Sequence, residues 1–158
     1  RAARDVAALD AFASADRLAR SAGNRWMSAF VRTESSSLRV CMGDLDRGCA
    51  GLVDTVDAWY RAGEWAQQWL TLSRCVIALD RLEQYELAAE VLGAIEYHST
   101  VDAPPGMPSV LLTAVDTRES LLERFGAERA AELAVQGVQL PLAELVHRTR
   151  RALLARLG

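Results

Sequence analysis

Apolar residues recur three and four positions apart along most of the chain, and no stretch alternates apolar and polar residues as a half-buried strand does. The pattern therefore predicts an all-α protein. About eight helices are expected, over residues about 2–22, 25–42, 44–62, 64–81, 84–97, 109–125, 127–136 and 141–157. In the second of them, Met27, Phe30, Val31, Leu38 and Cys41 form the predicted apolar face.

Glycine and proline mark the ends of several predicted helices. Gly43 and Gly63 follow the second and third helices, where a left-handed residue commonly ends a helix. Asp44 is expected to cap the next helix. The turn at residues 81–83 lacks the expected glycine, and prolines exclude a helix from the loop at residues 102–108.

Successive helices are expected to pair as antiparallel hairpins, over residues about 2–42, 44–81 and 84–125, followed by terminal helices at about 127–157. The pattern of a turn followed by small residues at 43–52 repeats at 82–91, an offset of 39 residues. It repeats more weakly at 126–133. Helical hairpins that repeat at this length predict a single domain, residues 1–158, in which the hairpins stack as a short right-handed tetratricopeptide-like α-solenoid.

Composition narrows the function classes. The net charge is −3, whereas a nucleic-acid surface needs clustered positive charge, so nucleic acid is an unlikely partner. No run of about 18 apolar residues suggests a membrane span. The chain begins at Arg1, and we expect a soluble, cytoplasmic segment of a larger protein. Cys41, Cys49 and Cys75 are interpreted as small core residues in a reducing compartment.

Four aromatic residues gather around one predicted turn: Trp59, Tyr60, Trp65 and Trp69. They could form a partner-binding platform, because aromatic residues dominate binding hot spots. They could equally fill the core between the third and fourth helices. The stripe that Trp65 and Trp69 share with Leu72 favours the core.

Charged residues suggest two further features. Glu34 falls on the apolar side of the second helix, where it could form a buried ion pair with Arg74 or simply reach solvent. Arg148, Arg150 and Arg151 form a possible basic contact face on the last helix.

No catalytic residue, metal ligand set or cofactor is predicted. His98 and His147 are the only histidines, and no cysteine lies at metal-ligand spacing from either. Cys75 could pair with a histidine only through the tertiary fold, and no glycine-rich loop offers a cradle for phosphate. A small-molecule or hydrolytic pocket therefore stays a minor alternative.

Several segments resemble the C-terminal helical-repeat region of large actinobacterial regulators, which carry an AAA-like nucleotide-binding module with either an adenylyl-cyclase or a LuxR-type DNA-binding domain. The similarity covers roughly residues 24–157 and departs from the family pattern at Glu34 and at Leu82-Glu83. It rests on residues 43–45, 57–72, 88–94, 124–127 and 136–140. The catalytic motifs of those larger proteins do not occur in this chain, so neither cyclase nor ATPase activity is implied.

The end of the chain allows a rival interpretation as a helix-turn-helix reader of DNA over residues 130–156. Against it, Leu133 stands where a small residue is expected, and Pro141 and Leu142 stand where base contacts should begin. We therefore expect a non-catalytic protein-interaction or scaffold segment. It would relay signals by packing against other modules of its parent protein, or a regulator, or by forming a homodimer.

Overall fold

A computed structural model describes residues 2–101 and 115–158 of the chain. These residues form helices and short turns with no strand, which confirms the all-α class for the described chain. The helices are α1 (Ala2–Ser21), α2 (Arg25–Met42), α3 (Leu45–Ala62), α4 (Trp65–Arg81), α5 (Tyr85–Val101), α6 (Val115–Gln139) and α7 (Leu142–Ala155). The predicted loop at residues 102–108 and the predicted start of a helix at residue 109 lie outside the described residues.

The described chain has seven helices where about eight were predicted. The expected boundary between two helices near Gly126 is a kink inside α6, because that glycine alone has non-helical backbone angles (φ 75°, ψ 165°). Such angles are essentially restricted to glycine. The chain thus changes direction without a connecting loop.

Two turns have the predicted glycine geometry. Gly43 and Gly63 take left-handed conformations after α2 and α3, and their N–H groups donate to carbonyls of the last helical turn. Asp44 precedes α3 as expected but does not cap it through its side chain. Its carboxylate accepts a hydrogen bond from Arg39 instead, at 3.1 Å.

α2 and α3 pack antiparallel at short range. A Cβ built on Gly48 would lie 2.6 Å from Val40 Cγ2, and one built on Gly51 would lie 2.0 Å from Ser36 Oγ. The glycines of α3 therefore let the two helices approach closely.

This approach corrects the predicted face of α2. The buried residues are Val31, Thr33, Ser36, Ser37 and Val40, whereas Met27 and Cys41 are exposed. The prediction that Cys41 is a core residue was wrong, because small hydroxyl side chains occupy the face that meets the glycines of α3. Thr33 satisfies its hydroxyl within the helix by donating to the Ala29 carbonyl at 3.0 Å.

The core lies mainly between α3, α4, α5 and α7, which all contribute fully buried leucines or valines, and Val40 of α2 and Leu133 of α6 also belong to it. α7 packs against α3 and α4 and touches α5. In a solenoid each unit contacts only its neighbours in sequence. Because the last helix returns to α3, the seven helices form a bundle.

Candidate functional site

The four aromatic residues predicted as a partner platform or as core divide between these roles. Trp59 is buried, with 3% of its surface exposed, and its indole Nε1 lies 3.5 Å from Thr33 Oγ1 and donates to it. Trp65 is 52% exposed and Tyr60 is 39% exposed. Trp69 is half-buried. The interpretation as core thus describes Trp59, and the interpretation as surface describes Trp65 and Tyr60.

The exposed pair spans the turn between α3 and α4. The rings of Tyr60 and Trp65 meet edge to face, with their centroids 6.0 Å apart. The left-handed backbone of Gly63 reverses the chain between them. Trp65 is the first residue of α4. The buried stripe of that helix, which includes Leu72, begins one turn later, so the packing of α4 does not cover the Trp65 ring.

Trp69 lies one turn further into α4 and contacts α5. Its ring stacks on the imidazole of His98, with the centroids 4.7 Å apart. This contact fixes the ring against its neighbour helix, so Trp69 borders the exposed aromatics rather than joining them.

Another aromatic residue at this end, Trp26, was not among the predicted site residues. It stacks on Phe30 with the centroids 5.6 Å apart and meets Trp59 edge to face at 6.0 Å, yet it is 42% exposed. Its neighbour Met27 is exposed as well. The four-residue spacing of Trp26 and Phe30 in a helix is the signal that could have found the pair.

These side chains share one end of the bundle because α2 and α4 begin there and α3 ends there. We name the aromatic end by its residues: Trp26, Phe30, Trp59, Tyr60 and Trp65. Trp59 is buried and Phe30 is partly buried, whereas Trp26, Tyr60 and Trp65 are exposed.

The structure brings Glu34 and Arg74 together, although neither is fully buried. Arg74 Nε donates to Glu34 Oε1 at 3.1 Å and Nη2 donates to Oε2 at 3.2 Å, a two-pronged pair between α2 and α4. Both side chains remain partly exposed. Since the pair joins two helices, its role is to hold their register.

The predicted basic face on α7 is largely engaged within the bundle. Arg150 Nε donates to Asp57 of α3 at 3.0 Å. Arg148 Nη1 lies 2.7 Å from Glu90 Oε2 of α5 and forms an ion pair with it. Arg151 is exposed and has no carboxylate within ion-pairing distance in the described chain.

Gly137 has a packing role instead of the turn role that a helix-turn-helix would give it. It lies inside α6, where an added Cβ would come within 1.8 Å of the Glu90 carbonyl oxygen of α5. The helix pair at residues 130–156 is thus built into the bundle through both of its helices.

The residues considered for catalysis are dispersed. Cys75 is fully buried, and burial, followed by the nearby Cys49, raises the pKa of its thiol. Glu34 is paired with Arg74, and His147 is exposed on α7. Within residues 2–101 and 115–158 no three histidine, cysteine or acidic side chains form a group that could hold a metal ion. No helix of that part of the chain combines the length and apolar character needed to cross a membrane.

Comparison of the chain with protein-family models, with curated proteins and with solved structures finds no match.

Proposed function

We propose that this chain is a non-catalytic protein-interaction segment of a larger regulatory protein, and that the aromatic end is its contact surface. The resemblance to the helical-repeat region of actinobacterial regulators supports this proposal. The antiparallel hairpins formed by α1 to α5 also support it. We interpret them as a tetratricopeptide-like stack against which α7 packs. Three free thiols in the chain suit a cytoplasmic location.

The exposure of Trp65 and Trp26 carries the proposal. Leaving large aromatic surface in water gives up the stabilisation of about 1.5–3 kcal/mol that burial of a large apolar side chain provides. Tryptophan and tyrosine are the residues most enriched in binding hot spots. Here Tyr60 and Met27 extend the exposed apolar surface beside them. The aromatic end therefore has the composition of a contact surface.

The buried part of the aromatic end supports its exposed part. Trp26 rests on Phe30 and on the edge of Trp59, and Trp65 rests on Tyr60. Rings held in this way lose little conformational freedom when a partner binds. Because the rings are already held in place before a partner binds, less conformational entropy is lost on binding.

Site-specific photocrosslinking tests the proposal. A photoreactive phenylalanine analogue replaces Trp65 in the full parent protein, and the crosslinked peptides are identified by mass spectrometry. We expect crosslinks to another module, to a partner protein or to a second copy. The same analogue at Leu18, an exposed apolar residue of α1, is the matched control. Equal yields from the two positions would refute the assignment of the contact surface to the aromatic end.

Sedimentation velocity separates self-association from the other outcomes. If the aromatic end forms a homodimer, the dimer fraction rises with concentration and is lost when both Trp26 and Trp65 are replaced by alanine. A monomer at all concentrations, combined with crosslinks to another module, assigns the surface to packing within the parent protein.

A further inference from the structure

A groove of about 730 Å³ lies away from the aromatic end, where the α4–α5 turn, the kink of α6 and the second half of α7 meet. Arginines enter it from two helices: Arg124 from α6, and Arg148 and Arg151 from α7. The first residues of α5 form another wall, so the positive end of that helix dipole faces the groove.

Two of the three arginines form no ion pair with an acidic side chain of the described residues. Arg148 is paired with Glu90, as described above. The guanidinium carbon of Arg124 lies 3.5 Å above the centroid of the Tyr85 ring, a contact that neutralises no charge. Neither Arg124 nor Arg151 has a carboxylate partner in the described chain. The groove lining thus has an excess of positive charge, with three arginines and two glutamates, on a chain whose net charge is −3.

The acids in the groove are fewer than its cations. Glu86 is paired with Arg129 at 3.3 Å, and among the described residues Glu83 is the acid of the groove lining that has no cation partner. Glu83 is held at the turn in a left-handed conformation with φ 60°. Within residues 2–101 and 115–158, the groove therefore has two unpaired guanidinium groups and one unpaired carboxylate.

The lining of the groove also has an apolar part, which we call its floor and which consists of Leu87, Phe125, Ala152 and Ala155. A ligand that matches this surface needs negative groups to meet the guanidinium groups and an apolar group to cover the floor. Guanidinium groups bind carboxylates through two parallel N–H donors.

We propose that this groove binds an acidic, partly apolar linear segment of a partner protein. The inference rests on the proposed protein-interaction function and adds the chemistry of one partner. A peptide fits better than a nucleic acid, because Glu83 and the apolar floor interrupt the positive surface that a phosphate backbone requires. Carboxylates spaced along a peptide meet Arg124 and Arg151 while an intervening apolar side chain covers the floor.

Fluorescence anisotropy with a labelled peptide of alternating glutamate and leucine residues tests the proposal. Reversing both charges with Arg124→Glu and Arg151→Glu weakens binding by about tenfold or more, because both carboxylate contacts become repulsive. The matched control, Arg4→Glu with Arg17→Glu on exposed positions of α1, changes the net charge by the same amount and leaves the affinity within about twofold. Glu83→Gln strengthens binding, since it removes the unpaired carboxylate.

Further arms make the test decisive. Circular dichroism verifies that each variant retains its helices, and the single Arg151→Gln exchange at an exposed position serves if the double reversal unfolds. Three results would overturn the proposal. The control variant could lose as much affinity as the double reversal, or a peptide with glutamine in place of glutamate could bind with the same affinity as the acidic peptide. Single-stranded DNA could also compete more strongly than the acidic peptide. Peptide binding is measured at the groove, which lies away from the aromatic end, so failure here is distinct from failure of the crosslinking test at Trp65.

Discussion

Gly137 of α6 lies directly on the backbone of Glu90 in α5, and a Cβ at Gly137 would come 1.8 Å from the Glu90 carbonyl oxygen. No side chain fits in that space. A second close approach follows one turn away, where a Cβ on Gly93 would come 2.3 Å from the Ala134 Cα. Two glycines on facing helices thus set the distance between α5 and α6.

The first prediction concerns this crossing. Gly137→Ala lowers the free energy of unfolding by about 2 kcal/mol, because the helices must separate to admit a methyl group. At an exposed helical position, the same exchange would raise the free energy of unfolding by about 0.5–1 kcal/mol, because helix propensity favours alanine over glycine. The close approach at Gly137 therefore reverses the sign of the effect. Urea denaturation measures the free energy of unfolding. As a control, Ala131→Gly at an exposed position of α6 is expected to lose only the stability that helix propensity accounts for. A gain in stability for Gly137→Ala would refute the close approach.

The α4–α5 turn offers a stabilising substitution. Glu83 is the non-glycine residue with positive φ in the described chain, and a left-handed conformation costs it about 1–2 kcal/mol. After the entropy of glycine in the unfolded chain is subtracted, Glu83→Gly raises the free energy of unfolding by about 0.5–1 kcal/mol. Glu119→Gly, the same exchange at an exposed helical position of α6, lowers it by about 0.5–1 kcal/mol. Thermal denaturation of both variants checks the opposite signs.

The pair of Glu34 and Arg74 is expected to couple measurably. A double-mutant cycle with Glu34→Gln and Arg74→Met gives a coupling energy of about 1 kcal/mol, since both side chains are partly shielded and doubly hydrogen bonded. The exposed pair of Arg32 and Asp54 provides the control, with less than about 0.5 kcal/mol. Equal coupling in the two cycles would show that burial and geometry add nothing to the Glu34 pair.

Gln68 of α4 is fully buried, and neither end of its side-chain amide has a hydrogen-bond partner among the residues that the structure describes. An unsatisfied buried amide costs about 1–3 kcal/mol. The similarly shaped Gln68→Met exchange therefore raises the free energy of unfolding by about 1 kcal/mol in chemical denaturation. A loss of stability would contradict this and would show that the amide makes a favourable polar contact. Leu72→Met, a fully buried apolar exchange on the same helix, controls for packing.

The three thiols are expected to differ in reactivity. Burial raises the pKa of both Cys49 and Cys75, so their thiols stay protonated at a mildly alkaline pH, and a reagent cannot reach them. Exposed Cys41 reacts alone in the native protein at pH 8. Titration with a chromogenic disulfide reagent gives one thiol per native chain and all three after denaturation. Rapid reaction of the Cys41→Ser variant would contradict the burial of the other two.

Sequence reasoning succeeded where local chemistry decides. The turns at Gly43 and Gly63 were predicted because glycine tolerates the left-handed region that closes a helix, and both residues occupy it. The kink at Gly126 was located but interpreted as a boundary. Whether α6 continues past that residue depends on how both of its halves pack against α5, which spacing does not encode.

Sequence reasoning failed where two segments far apart in the chain must meet. Cys41 was predicted on the apolar face of α2, yet that residue is exposed, and Ser36 is buried because the glycines of α3 approach it. Trp59 and Trp65 carry the same side chain around the same turn, but only Trp59 is covered by α2. The engagement of Arg150 with Asp57 likewise depends on α7 returning to α3.

The sequence by itself determined the helical class and most helix limits, because hydrogen bonds within a helix and the conformational range of glycine act over a few residues. Only the tertiary structure decided which aromatic rings face outward and which arginines remain unpaired. Both depend on side chains brought from distant helices, whose distance is set by packing between surfaces.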